Sequence, residues 1–452
     1  TPTYGEGLVF KGWDKELTVH PEPDTFYYTA VYEEELTPIT DVSKCLCFTA
    51  ERDGCEVWYV SISNVPDIQY SVDEGRTWNS LAPEEHVALN SEGDKVYFRG
   101  YNPSGFSHEQ EYTMLDIHMP GDYTHFEMTG NITASGSVMS LIDGVGETTV
   151  IPNENCFYKL FVGCSSLTQA PELPATTLKE SCYEQMFSMC TSLSEAPELP
   201  ATMLAKTCYR EMFEFCLDIA VAPQLPATTL ASGCYQGMFS NCMSLTEAPE
   251  LPATELAEAC YSMMFSFCSR LTETPKLIAT TLADRCYEQM FFNCPSLQNA
   301  LELPATTLTY RCYEGMFAEC TSLINAPELP ATELTYFCYH SMFSGCTSLT
   351  TAPELPATEL VEGCYERMFE GCSSLNYIKV GVMTLDNDFV YGSTDNWVSG
   401  VDGPGIFIFP CGSTYDKHGV SEVPDDFEIL RGPVTVVFQN PDSTVLWKET
   451  IN

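Results

Sequence analysis

Two series of cysteines are the residues with the clearest capacity for chemistry in this chain. Each series has nine members spaced 26 residues apart, and the second follows the first by eight residues. Thiols in such numbers could form disulfides, bind a metal or fill a core as small side chains. The first series is Cys156, Cys182, Cys208, Cys234, Cys260, Cys286, Cys312, Cys338 and Cys364, and the second is Cys164, Cys190, Cys216, Cys242, Cys268, Cys294, Cys320, Cys346 and Cys372.

The spacing of these cysteines favours reduced, buried thiols. Pairing down either series would leave one of its nine members over. Pairing within a repeat would have to bridge about 12 Å if the eight residues were helical, which is beyond the reach of a disulfide. Outside the repeats, Cys47 and Cys55 could form a disulfide, with Cys45–Cys55 as the alternative. Zinc is disfavoured there because no CxxC pair or clustered histidine accompanies them.

A column of glutamates is a second candidate site. Stacked repeats would bring these carboxylates to about 5 Å from one another. They would then repel unless bound cations, or simply water and salt, relieved the charge. A calcium site is disfavoured because no Asp-rich loop of the right kind appears. The alternatives are a solvated face and a ligand-facing ladder made of Glu172, Glu198, Glu250, Glu302, Glu328 and Glu354.

Patterns that would indicate catalysis are missing from the sequence. The seven histidines show no metal-binding spacing, no GxSxG motif is present, and no glycine-rich phosphate loop follows a strand. We therefore predict a protein that is not an enzyme and that has no cofactor or metal.

Charge and hydropathy restrict the partners. The chain has 452 residues, with 63 acidic against 20 basic side chains and a formal net charge of −43. Such a surplus repels phosphates and anionic lipid head groups, so nucleic-acid binding is disfavoured. No apolar run reaches the roughly 18–20 residues that span a bilayer, which predicts no membrane insertion. A uniformly acidic surface suits an exposed extracellular protein, on a cell or a virion.

The repeat around the cysteines predicts the elements that position them. Residues 245–251 (LTEAPEL) predict a short strand, ended by a Pro-Ala-Thr breaker. Thr254 is then expected to cap a helix with one apolar face, formed by Leu256, Cys260, Met264 and Cys268. The residue before the second cysteine is Gly or Asn in five of nine repeats, which predicts a left-handed residue at the helix end. The tyrosines that follow the first cysteine are expected to pack between coils, with hydroxyls reaching solvent or a carbonyl.

The Met-Phe-x-x-Cys-x-Ser-Leu core of this unit resembles the leucine-rich repeats of BspA-type bacterial surface proteins. The resemblance covers residues 154–378, about half of the chain. It implies an α/β solenoid of nine 26-residue leucine-rich repeats, flanked here by all-β modules, and a role in adhesion. A single coil cannot bury its apolar face, so the coils must stack into a continuous core.

The two ends of the chain resemble two halves of one module. Residues 12–17 (GWDKEL) and 28–32 (YTAVY) are similar to the end of an InlB-type B-repeat, a small β-rich module of bacterial surface proteins. Residues 434–447 (VTVVFQNPDSTVLW) look like its beginning. Residues 1–35 and 433–452 are therefore expected to be complementary halves. The candidate joining strand contains Val434, Val436, Val437, Phe438, Val445 and Trp447, and the head that would receive it contains Tyr4, Val9, Phe10, Trp13, Tyr28 and Tyr32.

The rest of the chain completes the predicted domain order. Residues 36–129 alternate apolar and polar positions and predict a β-sandwich-like module. Within it, residues 71–78 (SVDEGRTW) match an Asp-box, a hairpin whose Asp73 holds the turn and whose Trp78 packs below it. Residues 130–153 and 379–432 are expected to cap the two ends of the solenoid.

These expectations combine into a non-catalytic extracellular surface protein. Its chains would join head to tail by strand complementation, in a filament or a tandem array that displays the solenoid. The alternatives are two halves that meet within one chain or are truncated, and an adhesin or phage fibre protein. An adhesin would bind a host surface protein or glycan through the solenoid or the β-sandwich.

Overall fold

The computed structural model describes residues 41–61, 65–107, 123–385 and 392–432 with their side chains, and the backbone of six strands nearer the chain ends. Near the start, β1 (Leu8–Trp13) pairs antiparallel with β4 (Ala30–Glu34). Similarly, β2 (Thr18–Val19) pairs with β3 (Phe26–Tyr27). These pairs form two separate two-stranded sheets.

A β-sandwich follows, with the strands β5 (Leu46–Ala50), β6 (Cys55–Val60), β7 (Gln69–Ser71), β8 (Asn79–Ser80), β9 (Val87–Leu89), β10 (Lys95–Arg99), β11 (His125–Thr129) and β12 (Ile132–Ser135). The first seven of these strands lie within residues 36–129, whose alternating pattern predicts a sandwich, and β12 lies beyond them. One sheet has the order β12-β5-β10-β7-β8, and the other has the order β11-β6-β9. The Phe48 ring lies 5.5 Å from the Phe126 ring of the opposite sheet, so the inner faces of the two sheets share one apolar layer.

The Asp-box hairpin forms between β7 and β8. The Asp73 carboxylate accepts hydrogen bonds from Thr77 Oγ1 at 2.7 Å, from the Thr77 backbone N–H at 2.9 Å and from Ser71 Oγ at 2.8 Å. These bonds, the Thr77 hydroxyl first, lower the pKa of Asp73 to about 2. The Trp78 ring lies 4.3 Å from the guanidinium carbon of Arg99, which packs the hairpin onto β10. The motif therefore has a structural use in this fold.

The sandwich continues directly into the solenoid. After the single-turn helix α1 (Ser140–Asp143), β13 (Leu167–Gln169) of the first coil pairs in parallel with β12. The Phe126 N–H donates to the Leu160 carbonyl at 2.8 Å. Residues 130–153, expected to cap the solenoid, thus supply β12 and α1 at the junction between the two parts.

The segment expected to be helical is a ribbon of consecutive turns. In the fifth coil, residues 256–268 contain no α-helical residue. Each even-numbered N–H from Cys260 to Cys268 donates to the carbonyl three residues back, at 3.1–3.2 Å. The helix capped by Thr254 does not form. Leu256, which is partly buried, and the buried Cys260, Met264 and Cys268 still share the inner side, because two turns advance the chain by four residues.

Hydrogen bonds between coils complete the ribbon. Each odd-numbered N–H from Ala259 to Phe267 donates to a carbonyl 25 residues later in the chain, at 2.8–3.0 Å. Adjacent residues thus donate alternately within a coil and to the next coil. Every backbone N–H from 259 to 268 has a partner, as a buried backbone requires.

Left-handed residues make this ribbon possible. Ala259, Met263 and Phe267 have φ of 50°, 55° and 62°, at intervals of four residues. The residue before the second cysteine is left-handed in all nine repeats. It has φ of 54–74° at the five predicted Gly and Asn positions, and 58–64° at Met189, Phe215, Phe267 and Glu319. A left-handed non-glycine residue costs roughly 1–2 kcal/mol, which the hydrogen bonds between coils offset.

The short strands of the repeat are mostly single parallel bridges, such as Val221 to Glu247 and Asn299 to Asn325. Prolines two residues after Val221, Glu247 and Asn325 lack the N–H that a longer ladder needs. The turn ribbons and the columns of buried side chains therefore carry most of the contact between coils.

A column of phenylalanines connects the core of the sandwich with the core of the stacked coils. Phe161 lies 5.8 Å from Phe126 of the sandwich, and ring centroids from Phe161 to Phe369 are spaced 5.4–5.8 Å apart. Tyr183 to Tyr365 form a parallel column spaced 5.7–6.1 Å. Both columns end on Trp397, which is fully buried.

Residues 392–400 form a partial tenth coil. The Tyr365 and Phe369 N–H groups donate to Ser393 and Trp397, and Asn396 and Gly400 repeat the left-handed spacing of four. A parallel sheet of β14 (Tyr377–Lys379), β15 (Gly405–Phe409) and β16 (Phe427–Arg431) lies beside it. The chain then enters a hairpin of β17 (Val434–Gln439) and β18 (Val445–Ile451).

Candidate functional site

The strands expected to join chains lie in two-stranded sheets. Val434, Val436, Val437 and Phe438 are on β17, and Val445 and Trp447 are on β18. Val9, Phe10 and Trp13 are on β1 and Tyr32 is on β4, whereas Tyr4 and Tyr28 lie outside the described residues. The register pairs Phe438 with Trp447, and Phe10 with Tyr32. Among the described strands, the two ends of the chain do not share a sheet.

The glutamate column is fully on the surface. All six members, Glu172, Glu198, Glu250, Glu302, Glu328 and Glu354, are exposed. Glu354 accepts a hydrogen bond from Lys379 Nζ at 2.7 Å. The described residues contain no group of three or more His, Cys, Asp or Glu side chains arranged to hold a metal ion. The geometry therefore makes the column an accessible acidic surface.

All 22 cysteines are free thiols, and Cys411 alone is exposed. The suggested Cys47–Cys55 disulfide is not formed. Cys55 belongs to the apolar core and lies on β6, whereas Cys47 alternates with the core residues of β5, in the other sheet. Their side chains therefore lie on different faces, and Cys55 Sγ instead donates to the Arg52 carbonyl at 3.3 Å.

The second cysteine series forms a column of thiol donors. Cys190 Sγ donates to the Phe161 carbonyl at 3.0 Å, 29 residues earlier. The same bond recurs at 3.1–3.2 Å for Cys216, Cys242, Cys268, Cys294, Cys320, Cys346 and Cys372. Burial raises the pKa of these thiols, so they stay protonated. Their chemistry is structural.

The repeat tyrosines are also structural. Tyr183 to Tyr365 are at most 2% exposed, which leaves no ring face for a ligand. The expectation that the hydroxyls reach solvent or a carbonyl fails for Tyr183 and Tyr313, whose buried hydroxyls have no hydrogen-bond partner.

The candidate functional site is a partly exposed cluster on three consecutive coils, which we call the aromatic–arginine patch. It lies on the outer side of the turn ribbon, where most other coils carry small or acidic residues at the same positions. Its members are Arg285, Tyr310, Arg311, Tyr336, Phe337 and His340. Sequence reasoning missed it, although comparing the residues before each first cysteine shows Asn, Ser, Thr, Gly, Ala, Arg, Arg, Phe and Gly in order.

Arg311 lies at the centre of the patch. Its guanidinium carbon is 5.2 Å from the Tyr310 ring and 4.9 Å from the Phe337 ring. Its Nη1 donates to both Glu314 carboxylate oxygens, at 2.9 Å and 2.7 Å, and its Nε donates to the Tyr310 hydroxyl at 2.6 Å. Glu314 is only 8% exposed. The arginine is therefore fixed in one orientation between two rings.

A polar column borders these rings. His340 Nδ1 lies 3.4 Å from Glu314 Oε1, and its Nε2 lies 3.8 Å from Glu366 Oε1. Burial and the neighbouring Glu314 raise the pKa of Glu288 in the preceding coil. The patch thus presents rings beside closely packed donors and acceptors.

A cluster of glutamates, Glu184, Glu211 and Glu214, lies around Arg210 in coils nearer the sandwich. Arg210 contacts Glu184 at 3.7 Å and Glu211 at 3.3 Å. Burial, and then the charge of Glu211, raise the pKa of Glu214 to about 7.

We expect Glu214→Gln to raise the Tm by about 1–2 °C at pH 8 and to leave it nearly unchanged near pH 4. A carboxyl whose pKa is raised keeps its proton in the folded chain between pH 4.5 and about 7, while the unfolded chain loses it. Stability therefore falls as pH rises through that window, and glutamine removes the loss. Thermal melts at both pH values test this, with the exposed Glu198→Gln as control. Equal shifts at the two pH values would contradict the assignment.

No protein-family model matches the sequence, and neither the curated proteins nor the solved structures give a significant match. Within the described residues, no helix is both long enough and apolar enough to cross a membrane.

Proposed function

We propose that the protein is a non-catalytic structural component of an extracellular surface, in which chains join head to tail and display the solenoid. The observation that carries the proposal is the pair of two-stranded β structures near the two ends, β1 with β4 and β17 with β18. An isolated two-stranded sheet is at best marginally stable in water and gains stability when further strands add to it. Strand addition between chains would provide those partners.

The composition of the strands supports this assembly. β17 contains four Val or Phe residues among its six, and β1 contains Leu, Val, Phe and Trp. Such residues are enriched in strands that pack against other strands. The stacked coils between the two ends would serve as a spacer, because each coil is bonded to the next along its whole turn ribbon.

We expect the purified chain to form linear polymers, and a variant lacking residues 434–452 to stay monomeric. Negative-stain microscopy and light scattering after size-exclusion chromatography measure both. The truncated chain keeps a head but has no tail, so adding it to the full chain should shorten the polymers. Glu250→Gln, on the exposed face of the solenoid, is the matched control and should polymerise normally. Monomers of the full chain, or polymers of both, would refute head-to-tail joining.

A second candidate function, adhesion, is favoured by the aromatic–arginine patch. Tyr and Arg are enriched where binding energy concentrates at recognition surfaces. Tyr336 is 57% exposed although its neighbours in the patch are packed together. A polymer that joins through its ends would leave this face of every solenoid accessible, so the two functions are compatible.

A further inference from the structure

We infer that the aromatic–arginine patch is a binding site for a neutral glycan, with a hexose ring stacked on the exposed Tyr336. This inference rests on the adhesive part of the proposed function and is independent of head-to-tail joining.

The rings provide a platform for the apolar face of a sugar. Tyr336 is 57% exposed, and Tyr310 and Phe337 are partly exposed. Phe337 meets Tyr310 edge to face at 6.2 Å and His340 at 6.0 Å. An aromatic ring with a polar group at its edge suits a pyranose, which has C–H groups on its faces and hydroxyls around its rim.

The position of the Phe337 ring is set by the next coil. Gly363 has φ of +64°, and a Cβ on it would lie 2.3 Å from the Phe337 ring. Phe337 therefore occupies space that any other residue at 363 would take. Phe337, Tyr310 and Arg311 are packed together before a ligand arrives, which reduces the entropy lost on binding.

The polar groups of the patch can serve sugar hydroxyls. A sugar hydroxyl both donates and accepts hydrogen bonds, so it matches a site that contains hydrogen-bond donors and acceptors. Arg311 is held in place by Glu314 and the Tyr310 hydroxyl. His340 lies at the edge of Phe337, and its buried Nδ1 is 3.4 Å from Glu314 Oε1.

The charge argues for a neutral ligand. The positive charges of Arg285 and Arg311 are balanced by the carboxylates of Glu288, Glu314 and Glu366, all within the sixth to ninth coils. The chain as a whole carries a formal charge of −43, which repels polyanions. A sulfated or sialylated chain would therefore be disfavoured.

The size of the patch argues for an oligosaccharide over a protein. The patch residues Arg285, Arg311 and Phe337 each precede the first cysteine of their coil. At that position the coil before the patch has Ala259 and the coil after it has Gly363. The patch therefore spans three coils at strand-like spacing, about 15 Å. A stable protein interface needs about 800 Å² from each partner, whereas two or three sugar rings fit this length.

The test is binding of the full chain to an array of neutral, sialylated and sulfated oligosaccharides, followed by calorimetric titration with the best neutral one. We expect binding to neutral hexose oligosaccharides, weakened about tenfold by Tyr336→Ala, which corresponds to about 1.4 kcal/mol. Tyr336→Phe keeps the ring and should bind nearly as the native chain does. Met203→Ala removes a side chain that is 67% exposed on another coil and is the matched control.

The two alanine variants distinguish binding at the patch from binding elsewhere on the chain. Tyr336 is exposed, so Tyr336→Ala should keep the native Tm, and Tyr310→Ala provides a second variant. Binding to neutral glycans that both alanine variants weaken supports the site. No neutral glycan bound, binding to anionic glycans alone, or binding unchanged in both variants would overturn it. Microscopy of the same samples reports assembly separately, so failure of glycan binding is distinguishable from failure of head-to-tail joining.

Discussion

Replacing Phe265 by alanine should lower the free energy of unfolding by about 3–5 kcal/mol. Phe265 is fully buried and stacks between Phe239 and Phe291, with both ring centroids 5.7 Å away. The substitution removes a ring from the middle of a column and leaves a cavity that rigid coils on both sides cannot fill. Urea denaturation followed by circular dichroism measures the loss.

The same coil supplies the control. Phe267 lies two residues further on, is 37% exposed and meets Phe292 at 5.3 Å. Phe267→Ala removes the same atoms from the outer side and should cost about 1 kcal/mol or less. Because a solenoid transmits stability only between neighbouring coils, the Phe265 variant should also broaden the transition. Equal losses for the two variants would contradict the placement of the phenylalanine column.

One thiol of the 22 should react with iodoacetamide in the native chain. Cys411 is exposed, whereas the other 21 are buried. The thiolate is the reactive form, and burial raises the pKa of Cys182 and Cys234 to about 12. Exposing a core thiol requires unfolding that costs about 5 kcal/mol or more, so these thiols should react at least about a thousandfold more slowly.

Intact-mass spectrometry counts the labels. The native chain should gain one adduct, Cys411→Ser should gain none, and the denatured chain should gain 22 without a reductant. A denatured chain that takes fewer labels until it is reduced would show disulfides and contradict the thiol columns. The experiment also tests the role of the thiols as donors, because a disulfide would remove the bond from Cys190 Sγ to the Phe161 carbonyl.

The patterns of the turn ribbon explain why a helix was expected. Leu256, Cys260, Met264 and Cys268 recur at intervals of four, close to the 3.6 residues of a helical turn. Two consecutive turns also advance the chain by four residues, so both structures bury the same side. The difference lies in Ala259, Met263 and Phe267, which are ordinary residues in left-handed conformations. Only the hydrogen bonds to the next coil make those conformations favourable.

Some candidate sites were predicted from the repeat spacing, and one required the folded structure. The spacing of the repeats predicts a column of six glutamates on one face and favours buried, reduced thiols. The aromatic–arginine patch is different, because Tyr310 and Tyr336 are separated by 26 residues and become neighbours only when coils stack. A column-by-column comparison of the repeats would have indicated it, but the fixed orientation of Arg311 on buried Glu314 is visible only in the folded chain.

The sequence by itself determined the repeat length, the residues of the core columns, the hairpin held by Asp73 and the acidic surface. Each of these depends on local chemistry or on a strict period of 26, which any stacked arrangement must respect. Tertiary structure decided the turn ribbon, the parallel pairing of β12 with β13 and the partial tenth coil around Trp397. These depend on backbone hydrogen bonds between residues about 25 to 35 apart, and backbone groups are the same in every residue, so side-chain patterns do not specify their partners.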